Sequence, residues 1–356
     1  MRQVFLCFAT NAVFLVTQTG LPELLTLQRI LDAGAAHLDV KVMCTAESLG
    51  QQFPVHAITL GNASLEVPAI GFFGGFHGLE RIGSEVVIAY LGSLVTRLKW
   101  DATLRHLLES VRLVFMPIVN PGGMWQGTRA NPNGVDLMRN APVDAVESVP
   151  FLMGGQRISA RLPWYRGAAA APMEAENQAV CQVVDEELLA RRFSIAIDCH
   201  SGFGLHDRIW FPYAHTSKCI EHLPEIHALR DIFESTHPNH RYVFEPQSRQ
   251  YLTHGDVWDH LYQRACSQPG RVFLPLTLEL GSWLWIKKNP RQLFSRHGIF
   301  NPLVEHRRQR VIRRQMAWLD FLLRATCSYR SWTPDETQRA DHLQRAMTRW
   351  YEAGSQ

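Results

Sequence analysis

The sequence predicts an α/β protein: a single domain with a central mixed, largely parallel β-sheet flanked by helices. Three observations carry this. Segments of helical period alternate with short apolar runs along most of the chain, two of those runs end at a histidine, and no linker, repeat or low-complexity stretch divides the 356 residues. Residues 21–35 place Leu24, Leu25, Leu27, Ile30 and Leu31 near a 3.6-residue period behind a proline, an amphipathic helix. Val40–Met43, Val55–Leu60 and Ala69–Phe73 read as strands, the third running into Gly74-Gly75 before His77. Ser84–Trp100 has helical spacing and Val111–Ile118 reads as a buried strand. Asn120-Pro121-Gly122-Gly123 opens a polar loop to about Pro163. Met173–Arg192 is helical, and Phe193–Cys199 is a strand that delivers His200. Ile209–Pro212 and Tyr242–Phe244 are strands, Gly255–Ala265 a helix, Arg271–Leu280 a strand carrying Glu279, and Leu303–Ala325 a long basic amphipathic helix. The expected division is an N-terminal extension (1–20), one domain (21–326) and a polar tail (327–356).

Composition narrows the function. With 46% hydrophobic and 19% charged residues the chain has ordinary globular usage, and 36 Lys+Arg against 33 Asp+Glu is too balanced to point to nucleic acid or an acidic membrane surface. The basic run around Arg307, Arg308 and Arg310 reads as a solvated helix face. No window approaches the roughly 18 consecutive apolar residues of a spanning helix, so no membrane partner is expected. Seven cysteines without CxxC spacing read as reduced thiols and give a cytoplasmic expectation, with export through the first 20 residues the less favoured alternative. Neither a nucleophilic GxSxG turn nor a phosphate-binding loop is present. Oligomeric state leaves no trace in the residues.

The chemistry concentrates at a few positions. In GGFHGLE, His77 and Glu80 lie three residues apart just after a strand, and His200 ends a separate strand; sheets gather such strand ends at one face. Two His and one Glu can bind zinc and leave a position open. An isolated HxxE pair is weak evidence in a chain with 16 histidines; the third ligand strengthens it. Glu279 ends an apolar strand where an unpartnered carboxylate is costly, which suits a general base. Arg129 and Arg139 lie in the 120–140 loop, and a guanidinium suits both an oxyanion and a substrate carboxylate.

Taken in order, HGLE, NPGG, TRANPNGVDLMRN, DCHSG, YLTHGDVWDHLY and TLELG resemble the M14 family of zinc metallocarboxypeptidases over roughly residues 20 to 325. The resemblance implies one Zn2+ per chain held by His77, Glu80 and His200, and Glu279 as the base that activates the zinc-bound water. It further implies Arg129 polarising the scissile carbonyl, Arg139 gripping a terminal carboxylate, and Tyr251 closing over substrate. The side-chain pocket floor would lie around Asp256, Val257 and Trp258. One position departs: the family's DLNRN is DLMRN here, and the thioether of Met138 cannot donate a hydrogen bond. Asn140 or Asn131 is the expected replacement, with Asn140 counted among the substrate-binding residues. The implied activity is hydrolysis of a peptide or peptide-like amide near a free carboxylate. The alternatives are an N-acyl amino acid amidohydrolase with the same zinc site, or an inert binding protein of the same fold.

Overall fold

The computed structural model describes residues 20–352, so the expectation of a signal or extension at the N-terminus falls almost wholly outside the described residues. Eight strands form one mixed sheet: β1 (Asp39–Ser48), β2 (Gln51–Gly61), β3 (Ala69–Gly74), β4 (Arg112–Met116), β5 (Phe193–Ser201), β6 (Arg208–Phe211), β7 (Val243–Pro246) and β8 (Val272–Leu280), in the order β1-β2-β4-β3-β5-β8-β6-β7. The centre, β4-β3-β5-β8, is parallel throughout; β1 and β2 pair antiparallel, as do β2 with β4 and β6 with β8. The parallel strands read as near-continuous apolar runs because both their faces are covered.

The helices are α1 (Pro22–Gly34), α2 (Arg81–Arg97), α3 (Ala102–Leu108), α4 (Pro121–Gln126), α5 (Ala175–Val183), α6 (Leu223–Thr236), α7 (Val257–Cys266), α8 (Trp283–Lys288), α9 (Glu305–Cys327) and α10 (Glu336–Met347). Consecutive strand residues point to opposite faces. Phe72 packs on Tyr90 of α2 and Phe73 on Trp258 of α7, which puts these helices on opposite sides of the sheet. α9 packs beside α2 over β3 and β5.

Each expected element is present, most of them a few residues longer or shorter. The periodicity from Met173 to Arg192 is one helical stretch whose second half, Val184–Leu189, is a π-helix. α3, α4, α6 and α8 were not anticipated as helices. The last stretch is more than a polar tail: α10 packs on α6, and beyond it Trp350 is buried against Phe211 with its indole N–H donating to the Phe244 carbonyl at 2.7 Å. Among the described residues the cysteines are free, and no helix is long and apolar enough to cross a membrane.

Candidate metal centre

Three adjacent parallel strands, β3, β5 and β8, end at one edge of the sheet. His77 follows β3, His200 is the penultimate residue of β5, and Glu279 stands directly opposite His200 in the β5–β8 register. Backbone geometry explains the glycines around His77. Gly75 has φ +72°, in the left-handed region, and a Cβ on Gly78 would lie 2.1 Å from the carbonyl carbon of Gly123, so the HGLE loop and the NPGG turn meet backbone to backbone. The Asn120 amide donates to the Phe76 carbonyl at 3.1 Å while its oxygen accepts from the Gly123 N–H. Asn301 holds the other side, accepting from the Ile82 N–H and donating to the Leu79 carbonyl.

The donor set converges. Glu80 Oε1 lies 2.8 Å from His77 Nδ1, Glu80 Oε2 3.0 Å from His200 Nδ1, and one ligand atom from each of the three residues falls within 4.8 Å of the others. All three are buried. The outward nitrogens are both tied to carboxylates: His77 Nε2 to Asp136 Oδ1 at 3.1 Å and His200 Nε2 to Asp198 Oδ2 at 2.6 Å. Donating the outer N–H to a carboxylate fixes the tautomer that leaves Nδ1 a lone pair, as metal-binding histidines require. When the imidazoles also carry a proton on Nδ1, the His77 charge and the hydrogen bonds from both rings override the burial that opposes ionisation of Glu80 and hold its carboxylate below the usual range; a metal would take the place of those Nδ1 protons. Two imidazoles and an ionised carboxylate, buried and orientated from behind, fit a zinc ion.

Sequence reasoning missed Asp136 and Asp198. Asp198 carried a readable signal: it is the one charged side chain within the run FSIAIDC and is fully buried, its Oδ2 also accepting from the Trp258 indole N–H at 2.9 Å. Asp136 sits in a loop where an Asp is unremarkable; here Oδ1 caps the Leu137–Arg139 turn through the Met138 N–H, and Oδ2 accepts from Arg129 Nε at 2.8 Å.

A cavity of about 270 Å³ opens beside the donors, lined by Arg129, Arg139, Tyr251, Asp256 and Glu279 among others. Arg129 also donates to Glu80 Oε1 at 3.3 Å. Burial, reinforced by the nearby Glu80 charge, raises the Glu279 carboxyl to about 8, and its Oε1 accepts from the Phe203 N–H at 3.0 Å. Arg139 is 3% exposed, and among the described residues its donors meet only carbonyls of Met138 and Met153, at 3.2 and 3.3 Å. Tyr251 lies alongside it, with the guanidinium carbon 6.0 Å from the ring centroid.

Asn140 does not join the cavity lining. Its amide nitrogen donates to the Arg166 carbonyl at 2.9 Å and its oxygen accepts from the Glu174 N–H at 2.7 Å, so both ends are committed to holding the loop. Asn131 is likewise consumed, donating to Glu174 and accepting from the Asn133 and Val135 N–H groups. Neither replaces the donor absent at Met138, which itself lines the cavity. Trp283 is 46% exposed, whereas Phe72, Phe73 and Phe76 are buried.

Asp256 also lines the cavity. Its Oδ1 caps α7 by accepting from the Trp258 and Asp259 N–H groups, both at 2.9 Å, while Oδ2 is buried without a partner among the described residues. Burial, then the Asp259 charge, raises this carboxyl to about 7. A second group, His227, Asp231 and His342, also brings its donor atoms within 4.8 Å, but Arg345 already donates to Asp231 at 2.8 Å and Arg230 at 3.3 Å. The positive charge that a metal would bring is already supplied there.

A sheet-edge centre of two histidines and a glutamate, with a carboxylate base candidate and two arginines around one cavity, defines a metallohydrolase architecture. The zinc carboxypeptidase family model (M14) matches residues 43–269, well over half of the chain, and the protein belongs to that family. Curated relatives include carboxypeptidase SOL1 of Arabidopsis thaliana, 32% identical over 93 residues (25% of this chain, 19% of the relative), and carboxypeptidase M of Mus musculus, 32% over 91 residues (23% and 20%). The aligned segments thus span about a fifth of those relatives. The crystal structure of carboxypeptidase A from Helicoverpa armigera superposes with a TM-score of 0.60 at 15% identity, covering 85% of this chain and 71% of that one, and shares the fold. The family match ends before Glu279, so the place of that residue opposite His200 is known from the sheet register alone.

Proposed function

We propose that the protein is a metallocarboxypeptidase that removes a C-terminal residue from peptides with a free α-carboxylate. One observation carries the reading. A buried guanidinium, Arg139, faces the cavity of the metal donors with two long carbonyl contacts, the Tyr251 side chain beside it and no carboxylate partner among the described residues. A buried charge of this kind calls for an anion, and a substrate carboxylate bound bidentately is the group whose shape fits.

His77, Glu80 and His200 would hold the zinc, which when bound supplies a Lewis acid for a carbonyl oxygen and acidifies a nearby water. Glu279 takes the proton of the attacking water and returns it to the leaving amine; its raised pKa suits a group that must alternate between both states. Arg129 is fixed through Nε by Asp136 and through Nη1 by Glu80, so the remaining Nη2 is the donor that would meet a scissile carbonyl without reorganising as negative charge develops. Tyr251 covers Arg139 and excludes water from the carboxylate. Asp256 offers an unpartnered oxygen to the departing residue's side chain, which favours a cationic or hydrogen-bond-donating group.

The test is a pair of peptides ending in Lys, one free and one amidated, assayed with zinc-loaded protein. Cleavage of the free peptide alone, abolished in Glu279→Gln with zinc retained, is expected. Equal cleavage of both would overturn the exopeptidase reading, and faster turnover of N-acyl amino acids would favour the amidohydrolase. A zinc-loaded protein inert on every substrate would point to a binding role.

A further inference from the structure

We propose that the cleft between α6, α8 and α9 is a binding site for an acidic peptide segment, separate from the metal centre. The cleft, about 900 Å³, is bounded by the end of α6, the 237–242 loop, α8 and one face of α9. Its charged lining is all basic: Arg241, Lys288, Arg307, Arg310 and Arg314, with no Asp or Glu among the described residues.

Four of these cations have no ion-pair partner among the described residues; only Arg314 is paired, with Asp207 at 3.2 Å. Arg307 is the most telling, because among the described residues its Nη1 is buried without a hydrogen-bond partner. A desolvated guanidinium nitrogen is costly until an acceptor reaches it. A solvated helix face, which the sequence predicts here, would leave that nitrogen in water.

Spacing points to a chain of carboxylates. Arg307, Arg310 and Arg314 fall on one face of α9 and span about 10 Å by helix rise, with Arg241 and Lys288 on the other walls. Neighbours on a helix face are about 5–6 Å apart, and an extended peptide presents same-side residues about 6.6 Å apart, so alternate Asp or Glu side chains meet successive arginines. One small anion could not reach all of them. Nucleic acid is disfavoured because the floor aromatics Phe233, Trp285 and Trp318 are buried among neighbours rather than presented as stacking platforms.

The experiment uses full-length protein and octaglutamate acetylated at its N-terminus and amidated at its C-terminus, so that the probe lacks the carboxylate recognised at Arg139. Binding is followed calorimetrically at low salt. Expected is saturable one-to-one binding that falls with salt, is absent for octaglutamine, weakens about fivefold or more in the Arg307→Gln/Arg310→Gln variant, and is unchanged in Arg29→Gln on exposed α1. No saturable binding, or equal loss in both variants, would overturn the proposal. Tighter binding of an eight-residue thymidine oligonucleotide would replace it with a nucleic-acid site, and full competition by inorganic phosphate at equal charge would reduce it to a small-anion site. All these arms read binding in the absence of turnover, so they stand or fall independently of the peptidase reading.

Discussion

Replacing Asp198 with Asn tests whether the outer carboxylates set the affinity of the metal donors. Asp198 Oδ2 accepts from His200 Nε2 at 2.6 Å and from the Trp258 indole at 2.9 Å, while Oδ1 is buried without a partner among the described residues. Asparagine keeps an oxygen for both donors, and its new NH2 falls where no acceptor waits. The neutral amide no longer raises the basicity of the imidazole or fixes its tautomer; in the metal-free chain burial works against charging His200, and Asp198 and Glu80 together override it and raise its pKa well above the usual value. Loss of such an outer partner typically weakens metal affinity by about 10- to 100-fold, or about 1.4–2.7 kcal/mol. The orphaned NH2 adds about 1–3 kcal/mol of lost stability. Zinc affinity is read by competition with a chromophoric chelator, alongside the thermal midpoint of the metal-free protein. Trp258→Phe removes the other donor and keeps the His200 pair, so it separates loss of packing from loss of ligand orientation. Asp198→Asn binding zinc within twofold of wild type, or Trp258→Phe weakening it equally, would refute the argument.

Other outcomes follow from the same geometry. Glu279→Gln should retain one zinc by mass spectrometry while suppressing peptide turnover. Because burial raises Glu279 to about 8, above its unfolded value near 4.5, its contribution to stability is full below about 4.5 and is lost as pH rises through 8. Metal-free wild type should therefore lose stability relative to Glu279→Gln across that window in denaturant titrations. Arg139→Gln should lower kcat/KM on free-carboxylate peptides by about 30-fold or more, the cost of truncating one side of a buried charged pair being about 2–5 kcal/mol, with little change in zinc content. Gly78→Ala, which forces a Cβ to within 2.1 Å of the Gly123 backbone, should lower the thermal midpoint and zinc occupancy together.

What could be read in advance followed from how local the signal is. Parallel strands buried on both faces announce themselves as apolar runs, and His77, His200 and Glu279 could be placed because each ends such a run, where the sheet must deliver it to one edge. α3 and α6 escaped because one is seven residues long and the other begins at His222-Leu223-Pro224 behind a polar stretch that resembles loop. Asp136 was invisible for a different reason: its role depends on a contact with His77, 59 residues away in sequence, and nothing local distinguishes a carboxylate that orients an imidazole from one that caps a turn. It does both.

Met138 shows how far a site can depart at one position and keep its logic. The thioether adjoins Arg139 in the cavity lining, where an amide donor would otherwise stand, and the neighbouring asparagines are spent on the loop. A carboxylate at Arg139 would thus be held by the guanidinium without help from an adjacent side-chain amide. The remaining charged-group partner at that end of the cavity is Asp256, which repels a carboxylate when ionised and is neutral when its proton is held. Under the proposed function, a cationic substrate side chain would relieve that conflict by pairing with the Asp256 oxygen that has no partner among the described residues while Arg139 held the α-carboxylate, so that opposite charges on one residue would meet opposite charges in the cavity. With Met138 in place, a carboxypeptidase of this geometry would depend more on this second contact. Asp256→Asn should therefore weaken Lys-ending peptides more than Leu-ending ones, and Met138→Asn should lower KM for both.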